Sequence, residues 1–211
     1  SPMREAAGLE VQTTRYGQKA LALAVNHALP HENVSTEVHR SGGPFTLVPL
    51  PDHNGQPCSA LVWMARGRRA QELFDMPEAE FEAEMTTRSA GIYGPLKLAS
   101  RRTMWPIISQ CAKRLSGERI ALIAEAAHVV PPIGAQGLNM SLSDLRCLLD
   151  LAKSAPEDIG SVDMLETYHR KRHADISLRV KGIDLLNRAS MVENPLLRNA
   201  RAAGLNALYA L

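Results

Sequence analysis

Residues 124–139 read AEAAHVVPPIGAQGLN, and the run that leads into them, residues 119–124, reads RIALIA. Their succession decides the fold class. An apolar run without polar alternation predicts a strand covered on both faces of a sheet. Beyond the loop, Leu138, Leu142, Leu145 and Leu149 recur at i, i+4, i+7 and i+11. That spacing predicts one apolar stripe on a helix running to about Lys153. Strand, loop and helix in this order are a ligand-binding arrangement of α/β proteins. Glu125 stands where the strand ends, and a carboxylate there can accept hydrogen bonds from a chain of sugar-like hydroxyls. Pro131 and Pro132 stiffen the backbone and remove two donors, leaving carbonyls open to whatever lies alongside. Gly134 and Gly137 let the main chain approach a flat or anionic ligand. The helix that starts near Gly137 aims its unpaired N–H groups and positive dipole end at the same place. A plain proline and glycine turn is the competing reading, and a lone G-x-x-G does not displace it.

Working outward, the first half of the chain reads as strands. Lys19–Asn26, Val34–Arg40, Phe45–Leu50 and Cys58–Ala65 are short apolar or alternating runs, separated by turn residues such as Gly42, Gly43, Asn54 and Gly55. They predict a mostly antiparallel sheet. Residues 75–85 put Pro77 at a helix start with carboxylates in the first turn, which reads as a solvated acidic helix. Pro106 to Leu115 reads as a further helix. A long helix from about Asp163 to Ser190 follows the turn at residues 154–163 and ends before Pro195. Its basic cluster, His169 to His173, reads as a solvated face. Leu196–Leu211 reads as a short amphipathic helix. The fold class expected is α/β with α+β character. Its parts are residues 1–17 as a linker, 18–117 as a sheet domain, 118–155 as the loop and its helix, and 156–211 as terminal helices.

The totals narrow the partners. Lys and Arg number 24 against 22 Asp and Glu, and aromatic residues make up 4%. No overall field or stacking platform points to nucleic acid. The cysteines, Cys58, Cys111 and Cys147, fit neither a disulfide framework nor a metal knuckle, and no H-E-x-x-H or comparable spacing suggests a metal. A reducing cytosol is the default compartment, with peripheral membrane contact left open. Trp63, Tyr93 and Trp105 are candidates for a substrate pocket, although an aromatic in such a composition is more often core.

Residues 121–151 closely resemble the second flavin-binding motif of the single-component FAD-dependent aromatic hydroxylases, the class containing p-hydroxybenzoate hydroxylase. The likeness is greatest to the hydroxylases of ubiquinone biosynthesis. The family pattern runs G-D-A-A-H, P-P, G, G-x-N and then a helix. This chain carries Ala124 for the glycine, which adds a methyl where backbone comes close, and Glu125 for the aspartate, which moves the acceptor outward by a methylene. Carried over, the resemblance implies that Glu125 holds the ribityl chain and that Pro132 offers its carbonyl near the oxygen-reactive edge of the flavin. It implies that Gly134, Ala135, Gln136, Gly137, Leu138 and Asn139 wrap the pyrimidine side, with His128 as packing. The opening SPMR resembles the tail of the family's middle motif, D-G-x-x-S-x-x-R, which makes Arg4 a further cofactor-binding candidate.

No three glycines here are spaced as G-x-G-x-x-G, the fingerprint of the ADP half of the site. The resemblance therefore covers the chain as the C-terminal half of such a hydroxylase, without the N-terminal dinucleotide fold. It implies a parent enzyme that uses FAD, NAD(P)H and O2 to hydroxylate an aromatic small molecule, a polyprenyl phenol of the ubiquinone pathway. It also implies a cytoplasmic location at the periphery of the inner membrane, or contact with a biosynthetic complex, and leaves a homo-oligomer open. The isolated chain is expected to bind FAD weakly and to be inactive. Two alternatives stand beside it: a non-catalytic scaffold relative, or a hydroxylase of a non-quinone phenol.

Overall fold

A computed structural model describes residues 1–40 and 43–191. The chain divides into two compact units. In chain order the elements are α1 (Pro2–Ala6), β1 (Val11–His27), β2 (Thr36–Arg40), β3 (Gly43–His53), β4 (Gln56–Arg66), α2 (Gly67–Asp75), α3 (Glu78–Arg88), β5 (Leu96–Leu98), β6 (Thr103–Ala112), β7 (Ser116–Gly117), β8 (Ile120–Ala121), β9 (His128–Val129), α4 (Gln136–Ser154) and α5 (Val162–Ser190). The result is mixed α/β with an antiparallel sheet, as the sequence led one to expect.

One unit is built on residues 17–107. Its strands lie in the order β2-β3-β4-β1, with β5 on the far end of β1. Period-two alternation turns Leu21, Leu23 and Val25 inward. The register then sets Leu21, Trp63 and Phe45 in one row across three strands, and Leu23, Leu61 and Leu47 in the next. Helices α2 and α3 cover these rows with Ala70, Leu73, Phe81 and Met85, all fully buried. Each large side chain so buried contributes roughly 1.5–3 kcal/mol. Trp63 and Tyr93 are core residues here, and Trp105 is exposed. The β3–β4 hairpin turns on Asn54 and Gly55, both at positive φ, as a two-residue turn that matches strand twist requires. Helix α3 is less solvated than its sequence suggests: buried Glu82 bonds Lys97 Nζ at 2.6 Å and the Leu98 amide at 2.9 Å.

Residues 103–112 form a strand, which corrects the helix expected from Pro106 to Leu115. Ile107, Ser109 and Ala112 are buried with less buried residues between them, and Ile107 and Ile108 are β-branched, so sheet pairing prevails over a proline that resembles a helix start.

The other unit is built on residues 1–16 and 108–187. Its core joins Ala112, Leu115, Leu122, Ala127 and Met140 to Tyr168, Ile176 and Ile183 of α5. Here β6 pairs with β9, and β7 with β8. The expected buried strand at 119–124 shrinks to Ile120–Ala121, and both Ile120 and Ile123 are exposed. Helix α4 spans the expected residues, but Leu138, Leu142, Leu145 and Leu149 are 43–69% exposed. The face of α4 that packs inward carries Met140, Asp144 and Leu148 instead. Among the described residues no helix is long and apolar enough to cross a membrane. The helix expected over 196–211 lies outside the described residues.

Candidate functional site

The loop from Leu122 to Asn139 is fixed at its backbone before any side chain is considered. The Tyr168 hydroxyl donates to the Leu122 carbonyl at 2.7 Å, and the Ala124 amide donates to Asp144 Oδ2 at 3.1 Å. Arg4 Nη1 donates to the Ala126 carbonyl at 3.4 Å, and the Ala112 amide to the Ala127 carbonyl at 2.8 Å. Glu125 stands between these anchors on a short 3₁₀ turn, residues 124–126, with an exposed side chain. A pinned backbone therefore presents a free carboxylate.

Ala124 holds φ at +53°. An L-residue in that region is strained by about 1 kcal/mol or more. Ala124→Gly removes the strain but adds roughly 0.4–1 kcal/mol of chain entropy to the unfolded state. The expected net is a gain of about 0.5 kcal/mol, read as a higher urea midpoint with an unchanged slope. A lower midpoint would mean that the Ala124 methyl packs more than it strains.

After β9 the chain passes buried Pro131, exposed Pro132 and buried Ile133. Gly134 and Ala135 then take successive positive φ values of 65° and 50°. This reversal delivers the chain into α4, whose first turn carries no side-chain cap and no acidic residue. The early amides of α4, at Gln136, Gly137 and Leu138, are the usual orphan donors of a helix start. A Cβ built on Gly137 would meet nothing within 4 Å, and one on Gly134 would meet only the Gln136 amide nitrogen, so the space over the loop is open.

Uncapped N–H groups at the end of a loop that also exposes a carboxylate fit a ligand that is electron-rich at one end and hydroxylated at the other. FAD has that form. Gln136 is less free than the sequence suggests: its amide donates to the Gly134 carbonyl at 3.1 Å, and its oxygen accepts from Arg179 at 3.4 Å. Arg4 is buried against the loop's own carbonyl and paired with Glu5.

Sequence reasoning missed Asp144, Tyr168 and Arg172. Asp144 is fully buried and accepts from His128 Nε2 at 2.7 Å and Arg172 Nε at 2.8 Å. Burial alone would raise its carboxyl, but the hydrogen bonds from His128, Arg172 and the Ala124 amide hold it below the usual carboxylate range. Arg172, inside the cluster read as solvated, is only 7% exposed, and His169 in the same cluster accepts the Leu115 amide at 3.2 Å. His128 is buried like a packing residue, yet it is bonded. Burial pushes the Tyr168 hydroxyl upward, so it stays a donor.

An uncapped helix behind a carboxylate-bearing glycine loop is an arrangement with which an α/β protein can hold a cofactor. Residues 1–181 match the family described as the FAD binding domain, and the chain belongs to that family. It is similar to ubiquinone hydroxylase UbiL of Rhodospirillum rubrum, 30% identical over 211 residues that cover 99% of this chain and 48% of the relative. It is also similar to 3-demethoxyubiquinol 3-hydroxylase of Escherichia coli, 27% identical over 213 residues that cover 98% of this chain and 52% of that one. The chain thus spans about half the length of the curated relatives it matches. Its fold is like that of p-nitrophenol 4-monooxygenase PnpA of Pseudomonas putida, with a TM-score of 0.74 at 19% identity, covering 96% of this chain and 51% of that one.

Proposed function

We propose that this chain supplies the flavin loop of an FAD-dependent monooxygenase that hydroxylates an aromatic ring, with a polyprenyl phenol of ubiquinone synthesis as substrate and NAD(P)H and O2 as co-substrates. The uncapped start of α4, at the end of a loop that exposes Glu125 and Pro132, carries the reading. The names of the similar hydroxylases supply the substrate class.

Bound FAD would supply the redox chemistry that activates oxygen. The protein's part is to bind and to orient. Glu125 accepts hydrogen bonds from ribityl hydroxyls. The amides of Gln136, Gly137 and Leu138 favour negative charge on whatever ring lies over them. Gly134 and Ala135 bring the backbone close, and Pro132, lacking an N–H, offers only a carbonyl acceptor on its exposed side. Arg4 acts by fixing the loop at Ala126. The remaining phosphate contacts call for a dinucleotide fingerprint, and no G-x-G-x-x-G occurs in these 211 residues. By itself the chain should therefore bind FAD weakly and turn over nothing. A polyprenyl substrate would bring the whole enzyme to the periphery of a membrane or into a biosynthetic complex.

Flavin fluorescence titration of the chain, and absorbance of the intact protein, test the proposal. Glu125→Gln should weaken riboflavin and FAD binding about tenfold, the loss of one hydrogen-bonding charge. The intact protein should purify yellow. A colourless protein that takes up no added FAD would overturn the assignment.

A further inference from the structure

A single polar chain runs from one end of the flavin loop to the other. The Ala124 amide meets Asp144, Asp144 meets Arg172, Arg172 Nη1 meets Asp175 at 2.7 Å, Asp175 meets Arg179 at 3.0 Å, and Arg179 meets Gln136. Ala124 lies near the start of the loop, and Gln136 is where it enters α4. Arg172 also donates to the Met140 carbonyl of α4 at 3.3 Å. Both ends of the loop are thereby referred to α5, a helix with no residue in the loop itself.

Asp144 is where the lines converge. Its Oδ2 is shared by the Ala124 amide and His128, and its Oδ1 is held by Arg172. It is fully buried, so water cannot replace any of these partners without opening the core. The amide it holds is the one immediately before Glu125, on a residue at positive φ. A shift of the Asp144 carboxylate would therefore rotate the peptide that carries Glu125.

We propose that Asp144 is the positioning residue of the flavin loop: it sets the direction of the Glu125 carboxylate through the Ala124 amide, with His128 and Arg172 fixing its own orientation. It touches no ligand. This rests on the flavin reading above, because only a ribityl chain gives the Glu125 direction a consequence. The effect should therefore fall on the ribityl increment, the factor by which riboflavin outbinds lumiflavin, which lacks the sugar chain.

The test uses the 211-residue chain with Asp144→Asn and with His128→Gln, the second leaving the Asp144–Arg172 pair in place should the first fail to fold. Amide hydrogen exchange at Ala124 is compared with that at Leu122, whose amide bonds Leu115 and does not touch Asp144. In both variants Ala124 should lose at least tenfold more protection than Leu122, and the ribityl increment should fall severalfold. In a Glu125→Gln background, Asp144→Asn should leave the increment unchanged, since the group being positioned is gone. Equal loss at Ala124 and Leu122 would overturn the proposal, because Asp144 would then be holding the core and not the loop. A loosened Ala124 with an unaltered increment would overturn it too. A wild-type chain that binds neither flavin would instead sink the flavin assignment, while the exchange comparison still decides whether Asp144 fixes the loop.

Discussion

Asp144→Ala is expected to lose about 3–5 kcal/mol of stability at neutral pH, the range for breaking a buried ion pair by removing one partner. The loss comes less from the missing contact than from what stays behind. Arg172 keeps its charge, is nearly buried, and among the described residues retains Asp175 and a carbonyl as partners. His128 loses the oxygen that its Nε2 meets at 2.7 Å. In a chain of this size the thermal midpoint should fall by about 6–20 °C. The pH dependence has a definite sign. Asp144 is held below the ordinary carboxylate range in the fold, while its unfolded value is about 3.9. Its contribution is therefore complete above about pH 4 and is lost as pH falls through the lower, folded value. The gap between wild type and variant should be widest near neutrality and narrow in acid. A gap under about 1 kcal/mol at pH 7 would show that water reaches Arg172 and that the site is not closed.

Gly43→Ala should cost about as much for an unrelated reason. Gly43 opens β3 at φ +117°, a region that L-residues rarely adopt. A methyl there would press into the Met64 carbonyl, coming within 3.1 Å of its carbon and 3.1 Å of Met191 Sδ. Neither strand can yield, because Phe45, two residues on, is already registered against Trp63 in the core row. Arg88 donates to the Gly43 carbonyl as well. Backbone strain and overpacking together make roughly 3 kcal/mol or more. Gly55→Ala is the control. That glycine also has positive φ, but open space surrounds it, so only the strain of about 1 kcal/mol should appear. Urea unfolding of both variants makes the comparison, and equal midpoints would show that β4 moves aside at Met64.

What was legible in the sequence was whatever local chemistry decides. Asn54 and Gly55 announce the hairpin because its turn needs two positive φ values. Leu21, Leu23 and Val25 announce a strand because inward positions must alternate. The loop residues Glu125 to Asn139 stand out because two prolines and two glycines so close together restrict the backbone so strongly. What depended on distant partners was not legible. RIALIA is apolar enough for a covered strand, but only β7 pairs with it among the described residues. The leucine spacing of α4 gave the helix correctly but not the face that packs, because Asp144 enters the core when its counter-charge lies 28 residues away on α5. An aspartate among leucines, like an arginine beside a lysine and histidines, reads as solvated until both are seen to share one burial.

The anchored backbone around Glu125 settles in advance where an entropy cost falls. Five residues outside the loop, Arg4, Ala112, Asp144, Tyr168 and Arg179, hold it at Ala126, Ala127, Ala124, Leu122 and Gln136. Ordering such a segment costs roughly 1–2 kcal/mol per residue wherever it occurs. Here that cost is met during folding, so none of it is charged against the ligand. Flavin affinity can then be spent on the contacts themselves, and arrival at the loop need not wait for the chain to find its shape.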